Sequence, residues 1–457
     1  MKQKNRSLLR TALIIAAVIM TGSLTCQKYL EARPDKKQVV PATLQDLQAL
    51  LDNVAVMNRN YPNYGEGAAD NYYLTASDFG ALSLNEDRNL YTWKPDGIII
   101  TSQWLSPYKV VYYANQVLES LGENGLAAAA GGPAIKGAAF FFRGYAFLQV
   151  AGIFSPAYNP ATADRDLGVP LRLTADFNPR SVRASNAQTY NQVVSDLRQA
   201  AALLPLTSTV PSRPNRVAAY AALSRVLLLM GDYKSAGLYA DSCLAAGAKL
   251  LDFNGLKPTA ANPISRFNAE VLFYAMAIGA NTMYPATCKV DSALYLSYAA
   301  NDLRKTIFFK SNGNGTYAFK GNYDGVQSAT LFSGPATDEV YLNAAECQAR
   351  LGETGKAMDL LNTLLKTRYR VGTFVPLSAG SADAALVLVL TERRKELLFR
   401  GLRWADLKRL NLDERFRTTL QRNVAGTVYT LPPGDLRYQL LIPEEVISQS
   451  GIAQNPR

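Results

Sequence analysis

Leu229-Met230-Gly231-Asp232-Tyr233-Lys234-Ser235-Ala236 and, much later, Arg350-Leu351-Gly352-Glu353-Thr354-Gly355-Lys356-Ala357 carry the same punctuation. In each, an apolar helical pattern stops at a glycine, an acidic residue follows, and an alanine stands five positions after the glycine. Glycine takes the left-handed conformation that ends a helix, and a small alanine lets the next helix lie close against the first. This is the signature of a tetratricopeptide-type helical hairpin, and it predicts a stack of repeats that share one continuous core.

Upstream of the first hairpin, Arg216 to Met230 places small residues on one side and leucines on the other, as a closely packed helix requires. Asn186 to Leu204, behind an Asn or Ser cap, and Ile135 to Ile153, with Phe140-Phe141-Phe142 and Tyr145, predict two more helices. Another is expected between Gln103 and Leu121, its first turn disturbed by Pro107. A first helical period starts near Thr43, with Leu44, Leu47, Leu50 and Leu51 on one face. About four helix pairs result. Residues 250–337 lose this period: Asn-Pro, Asn-Gly-Asn-Gly and Gly-Asn-Tyr-Asp-Gly turns punctuate short apolar stretches, so loops and short strands are expected there. The whole reads as a mainly α, tetratricopeptide-like helical-repeat scaffold with an irregular, loop-rich ligand-binding region containing short strands.

The amino terminus decides the compartment. Lys2, Lys4, Arg6 and Arg10 precede the apolar run Ala12 to Met20 and the small residues Thr21-Gly22-Ser23. That run is too short for a spanning helix and has the layout of a secretory signal, and no later stretch approaches a span. Cys26 stands where a bacterial lipoprotein signal has the cysteine that takes the lipid. The flanking Ser23 and Thr25 are not the Leu and Gly or Ala that such signals favour, which leaves an ordinary cleaved signal as the alternative. The expected organisation is a signal peptide at 1–25, a lipidated tether at 26–41, and one domain at 42–457 with its loop-rich insertion at about 250–337. The remaining cysteines, Cys243, Cys288 and Cys347, are too widely spaced for a metal cluster or a disulfide framework, and the first and last, within helical patterns, are expected as buried thiols.

Charge and composition remove whole classes of function. The net charge of +11 falls to +7 without the four basic residues of the signal, and no dense basic block with interleaved aromatics exists, so nucleic-acid binding is disfavoured. The chain has no histidine, which removes Ser-His-Asp and Cys-His catalysis and His-ligated zinc. Glu392 and Glu396 share a helix face, a spacing that suggests a glycosidase pair. Arg393, Arg394, Lys395 and Arg400 around them favour ionised, salt-bridged carboxylates instead. Asn312-Gly313-Asn314-Gly315-Thr316 lacks the following Lys and the strand-to-helix context of a phosphate loop and reads as a plain turn. Asp- and Asn-rich loops leave room for calcium, but none has EF-hand spacing, and no cofactor is expected.

Aromatic side chains are the richer signal, and tyrosine dominates them. Tyr72, Tyr73, Trp93, Tyr284, Tyr295 and Tyr323 fall in loop-rich segments and are the candidate ligand-binding residues. Sugar rings present apolar C–H faces that stack on such rings, although packing is the commoner role for any single one. Trp104 and Trp404, in helical patterns, are expected in the core.

An ordered set of motifs resembles the SusD/RagB family of outer-membrane nutrient-binding lipoproteins. It begins at Cys26-Gln-Lys-Tyr-Leu-Glu31 and continues through Arg143-Gly-Tyr-Ala-Phe147, Asp166-Leu-Gly-Val-Pro170, Arg183, Tyr190, Asp196-Leu197 and Leu203-Leu-Pro205. Arg216 to Arg225 and Met230-Gly-Asp-Tyr233 follow. The set ends with Glu392 to Glu396, Gly401-Leu-Arg-Trp-Ala-Asp-Leu-Lys408, Ile442-Pro-Glu-Glu445 and Gln454-Asn-Pro456. The resemblance implies a non-enzymatic, lipid-anchored protein of the outer membrane, facing the cell exterior. Such a protein captures glycans for import through a TonB-dependent SusC-like channel. Capture of oligopeptides, as by a RagB-like component, a periplasmic scaffold for protein partners, and a carboxylate-based glycoside hydrolase are the competing readings. The matching motifs belong to the fold and bring no ligand residues with them.

Overall fold

The computed structural model describes residues 41–94 and 99–457. The expected signal, most of the tether and Cys26 lie outside the described residues. Eight long helices form the scaffold among the described residues: α1 (Ser102–Glu123), α2 (Gly132–Phe154), α3 (Asn186–Leu203), α4 (Arg216–Met230), α5 (Tyr233–Ala245), α6 (Thr337–Arg350), α7 (Thr354–Lys366) and α8 (Ala382–Glu396). Each packs on the next, and α5 lies directly on α6 although residues 246–336 separate them in the chain. The insertion therefore leaves the stack and returns to it without breaking the repeat. Helix α1 starts one residue before the expected Gln103 and accommodates Pro107 within its first turns.

Both hairpins form as their punctuation demands. Gly231 ends α4 with φ of 78°, its N–H bonding Leu228 O and the Asp232 N–H reaching Leu227 O. Asp232 then caps α5 through a bond from the Ser235 N–H. Gly352 turns the chain with φ of 85° after α6, and Ala236 and Ala357 are fully buried at the close approach of the paired helices.

The family-like motifs do structural work throughout. Arg143 on α2 binds Asp196 on α3 through two N–H donors at 2.8 and 2.7 Å. Gly144 allows that approach, because a Cβ there would stand 2.9 Å from Asp196 Cβ. Arg183 ties the carbonyls of Leu167 and Gly168 to the Asn455 side chain. Asn455 in turn donates to Phe154 O and Leu440 O, so the Gln454-Asn-Pro456 ending locks the C-terminal segment beneath α2. In helix α9 (Arg403–Leu410), Trp404 donates to Tyr438 O, Arg403 holds Asp70, and Asp406 joins Arg393 to Arg409.

Four antiparallel two-stranded pairs occur among the described residues: Tyr72–Tyr73 with Lys289–Val290, Leu167–Pro170 with Arg183–Ser185, Phe309–Ser311 with Tyr317–Phe319, and Leu420–Val424 with Thr427–Leu431. One apolar core fills the helical half around Phe141, Phe147 and Leu223. A second, around Tyr274, Met276, Phe308, Phe332 and Phe399, belongs to the insertion and the loops it meets. Trp104 and Trp404 are both in the core. Helix α2 is, against expectation, long and apolar enough to cross a membrane, but most of it is buried inside the stack. Cys243 and Cys347 are buried free thiols, and Cys288, which the sequence places in a loop, is buried as well. Burial pushes the Cys243 and Cys347 thiols up to about 12.

Candidate functional site

The insertion is held on a buried ionic floor. Arg304, inaccessible to solvent, donates to Asp302 at 2.7 Å, to Glu392 at 2.6 Å and to Glu396 at 3.0 Å. Arg368 joins Glu396 to Glu270 at 2.7 and 2.6 Å. Lys395 binds Glu392 at 2.7 Å, and burial, which opposes ionisation of Glu392, is outweighed by Arg304 and Lys395, so its carboxyl sits below the usual range. Glu392 and Glu396 are therefore the salt-bridged pair their basic neighbours predict. They fix the insertion to α8 and neither stands free as a general acid.

On this floor the short helix Ser292–Leu296, capped by Asp291, carries Tyr295. The Phe309–Ser311 and Tyr317–Phe319 hairpin, turning through Asn312 to Thr316, pairs Ser311 with Tyr317. Tyr317 stacks on Tyr295 with ring centroids 3.5 Å apart and planes at 17°. Phe309 meets Tyr295 edge-on at 5.4 Å, and the Lys305 ammonium lies 5.0 Å from its centroid. Both tyrosines are partly open to solvent, and no second ring is stacked on Tyr317 among the described residues. Burial first, then the neighbouring phenol, pushes the Tyr295 hydroxyl up to about 12, so it remains a neutral donor at ordinary pH. A half-open, pre-stacked pair with phenol hydroxyls and an ammonium at its edge offers an apolar ledge plus hydrogen-bonding groups, as a saccharide face requires.

The other expected site residues divide by burial. Tyr73 is half-buried, faces Lys289 across its strand pair, and Lys289–Val290 packs against Tyr317–Phe319. Tyr284 is 54% exposed on the turn leading into that strand. Tyr72, Trp93 and Tyr323 present no free ring, which corrects their reading as stacking platforms. Trp93 donates its indole N–H to Ala68 O and, with Tyr91 and Tyr72, surrounds the Arg422 guanidinium at 4.7, 3.9 and 5.1 Å. The Tyr72 hydroxyl donates to Gly67 O, and the Tyr323 hydroxyl to Glu270 and Asp338. Sequence reasoning missed Tyr317 and Lys305. The alternation of Phe309, Ser311, Tyr317 and Phe319 around the glycine turn was the available sign of a hairpin that would bring Tyr317 forward.

Two family models match the chain: one described as SusD-like, starch-binding and associating with the outer membrane, over residues 28–228, and the SusD family model over residues 337–440. The chain belongs to the SusD/RagB family. A SusD-like protein P2 of Formosa agariphila is 22% identical, the match covering 73% of this chain and 76% of the relative. Among solved structures, a SusD superfamily protein of Bacteroides thetaiotaomicron superposes with a TM-score of 0.73 at 24% identity, covering 91% of this chain and 100% of its own. A SusD-like carbohydrate-binding protein of Bacteroides vulgatus superposes at 0.65 with 18% identity, covering 89% and 96%. These likenesses show the SusD-type helical fold. The two family models flank residues 229–336, so the Tyr295–Tyr317 ledge lies in the stretch that neither matches.

Proposed function

We propose that this SusD/RagB-family chain is a glycan-binding lipoprotein that captures saccharide and passes it, uncleaved, to a TonB-dependent SusC-like channel of the outer membrane. The observation that carries the saccharide reading is the half-open Tyr295–Tyr317 stack with Lys305 at its edge, displayed by an insertion on a rigid ionic floor. The family description of starch binding at the outer membrane and the carbohydrate-binding relative from Bacteroides vulgatus support the same class of ligand. Attachment through Cys26 and display on the cell exterior are part of the proposal, and the signal layout supports the first. Binding without turnover fits a chain lacking histidine whose paired helix carboxylates are locked in salt bridges.

A glycan array with neutral oligosaccharides, read beside an oligopeptide panel, tests the ligand class using the wild-type protein and a Tyr317→Ala variant. Saccharide binding that falls in the variant is expected; peptide binding alone would replace the proposal with oligopeptide capture. Purification from detergent-extracted outer membrane is expected to bring a large β-barrel with the chain, and its absence would count against the import role. Release of shorter sugars from labelled oligosaccharides would contradict the non-enzymatic reading.

A further inference from the structure

Among the described residues at helix α9 and beside it, two buried donors lack a hydrogen-bond partner and a third, an ammonium, lacks a counter-ion. Lys408 is 5% exposed, gives one of its N–H groups to Ser155 O at 2.7 Å, and forms no ion pair among the described residues. Asn411, 7% exposed, accepts from the Thr418 N–H, while its Nδ2 has no acceptor. Tyr438, 5% exposed, rests its ring on Trp404 with centroids 4.9 Å apart, and its hydroxyl is unbonded. Asn411 and the Tyr438 hydroxyl are neighbours that do not close a hydrogen bond of ordinary geometry. Leaving such groups unpaired gives up their hydration with nothing in exchange, and most so for a charge. Burial also pushes the Lys408 ammonium down to about 7, as expected of a cation without a counter-ion.

All three line one pocket of about 180 Å³. Two carboxylates, Asp166 and Asp435, also line it, but each already has a partner: Asp166 accepts from the Thr162 hydroxyl, and Asp435 holds Arg437 at 2.6 Å. The pocket shares Asn159, Asn411, Leu412 and Gly434 with a cleft of about 1190 Å³ at the α4–α5 turn. In that cleft Arg350 covers Tyr233 at 4.7 Å, so a chain leaving the pocket would meet polar and aromatic surface.

We infer that this pocket is a second ligand site, distinct from the tyrosine ledge, that receives the carboxylate of an acidic sugar. An ammonium, an amide N–H and a phenol O–H line the same pocket as donors, which matches an acceptor-only anion better than a neutral hydroxyl. The volume equals roughly six waters at about 30 Å³ each, room for a carboxylate and part of its ring, with the remaining sugars lying along the cleft. The inference rests on the saccharide reading above for the class of molecule, and on the pocket alone for the carboxylate.

Calorimetric titration of the folded chain with trisaccharides of galacturonate, glucuronate and mannuronate, and with their carboxyl-reduced neutral counterparts, tests it. At least one acidic trisaccharide is expected to bind, with carboxyl reduction weakening it about tenfold or more, the equivalent of one charge-assisted hydrogen bond. Tyr438→Phe removes a single oxygen and is expected to weaken the acidic ligand severalfold; Lys408→Met should abolish the preference for acid over neutral. Unchanged thermal midpoints establish that each variant is folded, and Tyr438→Phe carries the test if Lys408→Met is not. Absence of acidic binding in the millimolar range, equal binding of acidic and reduced forms, or indifference to Tyr438→Phe would each overturn the inference. Tyr317→Ala distinguishes the two sites: loss of neutral-glycan binding there, with acidic binding intact, leaves both readings standing. Neutral binding that ignores Tyr317→Ala sinks the ledge alone.

Discussion

The Arg225 guanidinium on α4 grips both carboxylate oxygens of Glu339 on α6, at 2.7 and 2.6 Å, with both side chains almost wholly buried. The same guanidinium donates to the Tyr145 hydroxyl on α2 and to Ser333 O at the end of the insertion. One side chain thus joins α4, in the hairpin that precedes the insertion, to α6, the first long helix after it. Burial disfavours the charged guanidinium, yet Glu339 and Tyr145 outweigh that and raise its affinity for the proton. Arg225→Met leaves Glu339 charged and unpaired in the interior, which is expected to destabilise the fold by about 3–5 kcal/mol. The double variant Arg225→Met with Glu339→Leu should recover much of that loss, because no orphan charge remains. Equilibrium unfolding in denaturant measures both; a single variant within experimental error of wild type would show the pair to be dispensable.

Trp93→Ala is expected to act on stability and hardly on ligand. The residue sits in left-handed backbone at φ of 54°, its ring 4% exposed and packed on Arg422. Removing it leaves a cavity and takes one aromatic wall from a buried cation, together worth about 3–5 kcal/mol. Tyr73 offers the contrast, since it is half-buried and its loss is expected to cost the fold little. A Trp93→Ala protein that kept its unfolding midpoint while losing glycan affinity would restore the ligand role first assigned from sequence.

The difference between these residues explains what was legible. Helix existence and the two hairpins follow from local periodicity and from Gly231 and Gly352, where one residue determines the turn, so the boundaries of α3 and α4 agree with the sequence to within a residue. The fate of Glu392 and Glu396 was also readable, because their basic neighbours are on the same helix. Burial in the irregular segments was not. Trp93 is enclosed by Arg422, and Tyr323 by Glu270 and Asp338, partners far away in the chain or brought in by the insertion's return. A loop-like sequence therefore hid a second core. Tyr317 escaped for the converse reason, since its exposure follows from hairpin register and from a helix that places Tyr295 beneath it.

For the ledge, truncation should reveal coupling as well as loss. Tyr317→Ala and Tyr295→Ala are each expected to weaken saccharide binding by about 1–3 kcal/mol, the range of a stacked anchor. Because the two rings touch, the double variant should lose less than the sum of the singles. Titration calorimetry on the four proteins measures the coupling. Additive losses would indicate that the rings meet the ligand independently.

Glu270 gives the chain a pH response of definite sign. Buried against Arg368 and Tyr323, with Asp338 and Glu396 close by, it faces more negative than positive neighbours can balance, and burial leads the effects that raise its carboxyl from 4.5 to about 7. Glu66, also buried, is raised to about 7 as well. Between 4.5 and about 7 the folded chain holds protons on these groups that the unfolded chain has released. The folded state thus binds more protons in this window, and stability is expected to fall as pH rises through it. Lys408 acts elsewhere: lowered from 10.5 to about 7, it makes stability rise with pH above that point. Glu270→Gln, which copies the protonated shape without a titrating group, should make the decline between 4.5 and about 7 shallower, leaving the share that Glu66 contributes, and should leave the alkaline rise unchanged. Denaturant unfolding at pH steps across both windows, on wild type and Glu270→Gln, checks this. An unaltered slope in the variant would mean that Glu270 stays ionised, with Arg304 and Arg368 together able to carry every carboxylate of the floor.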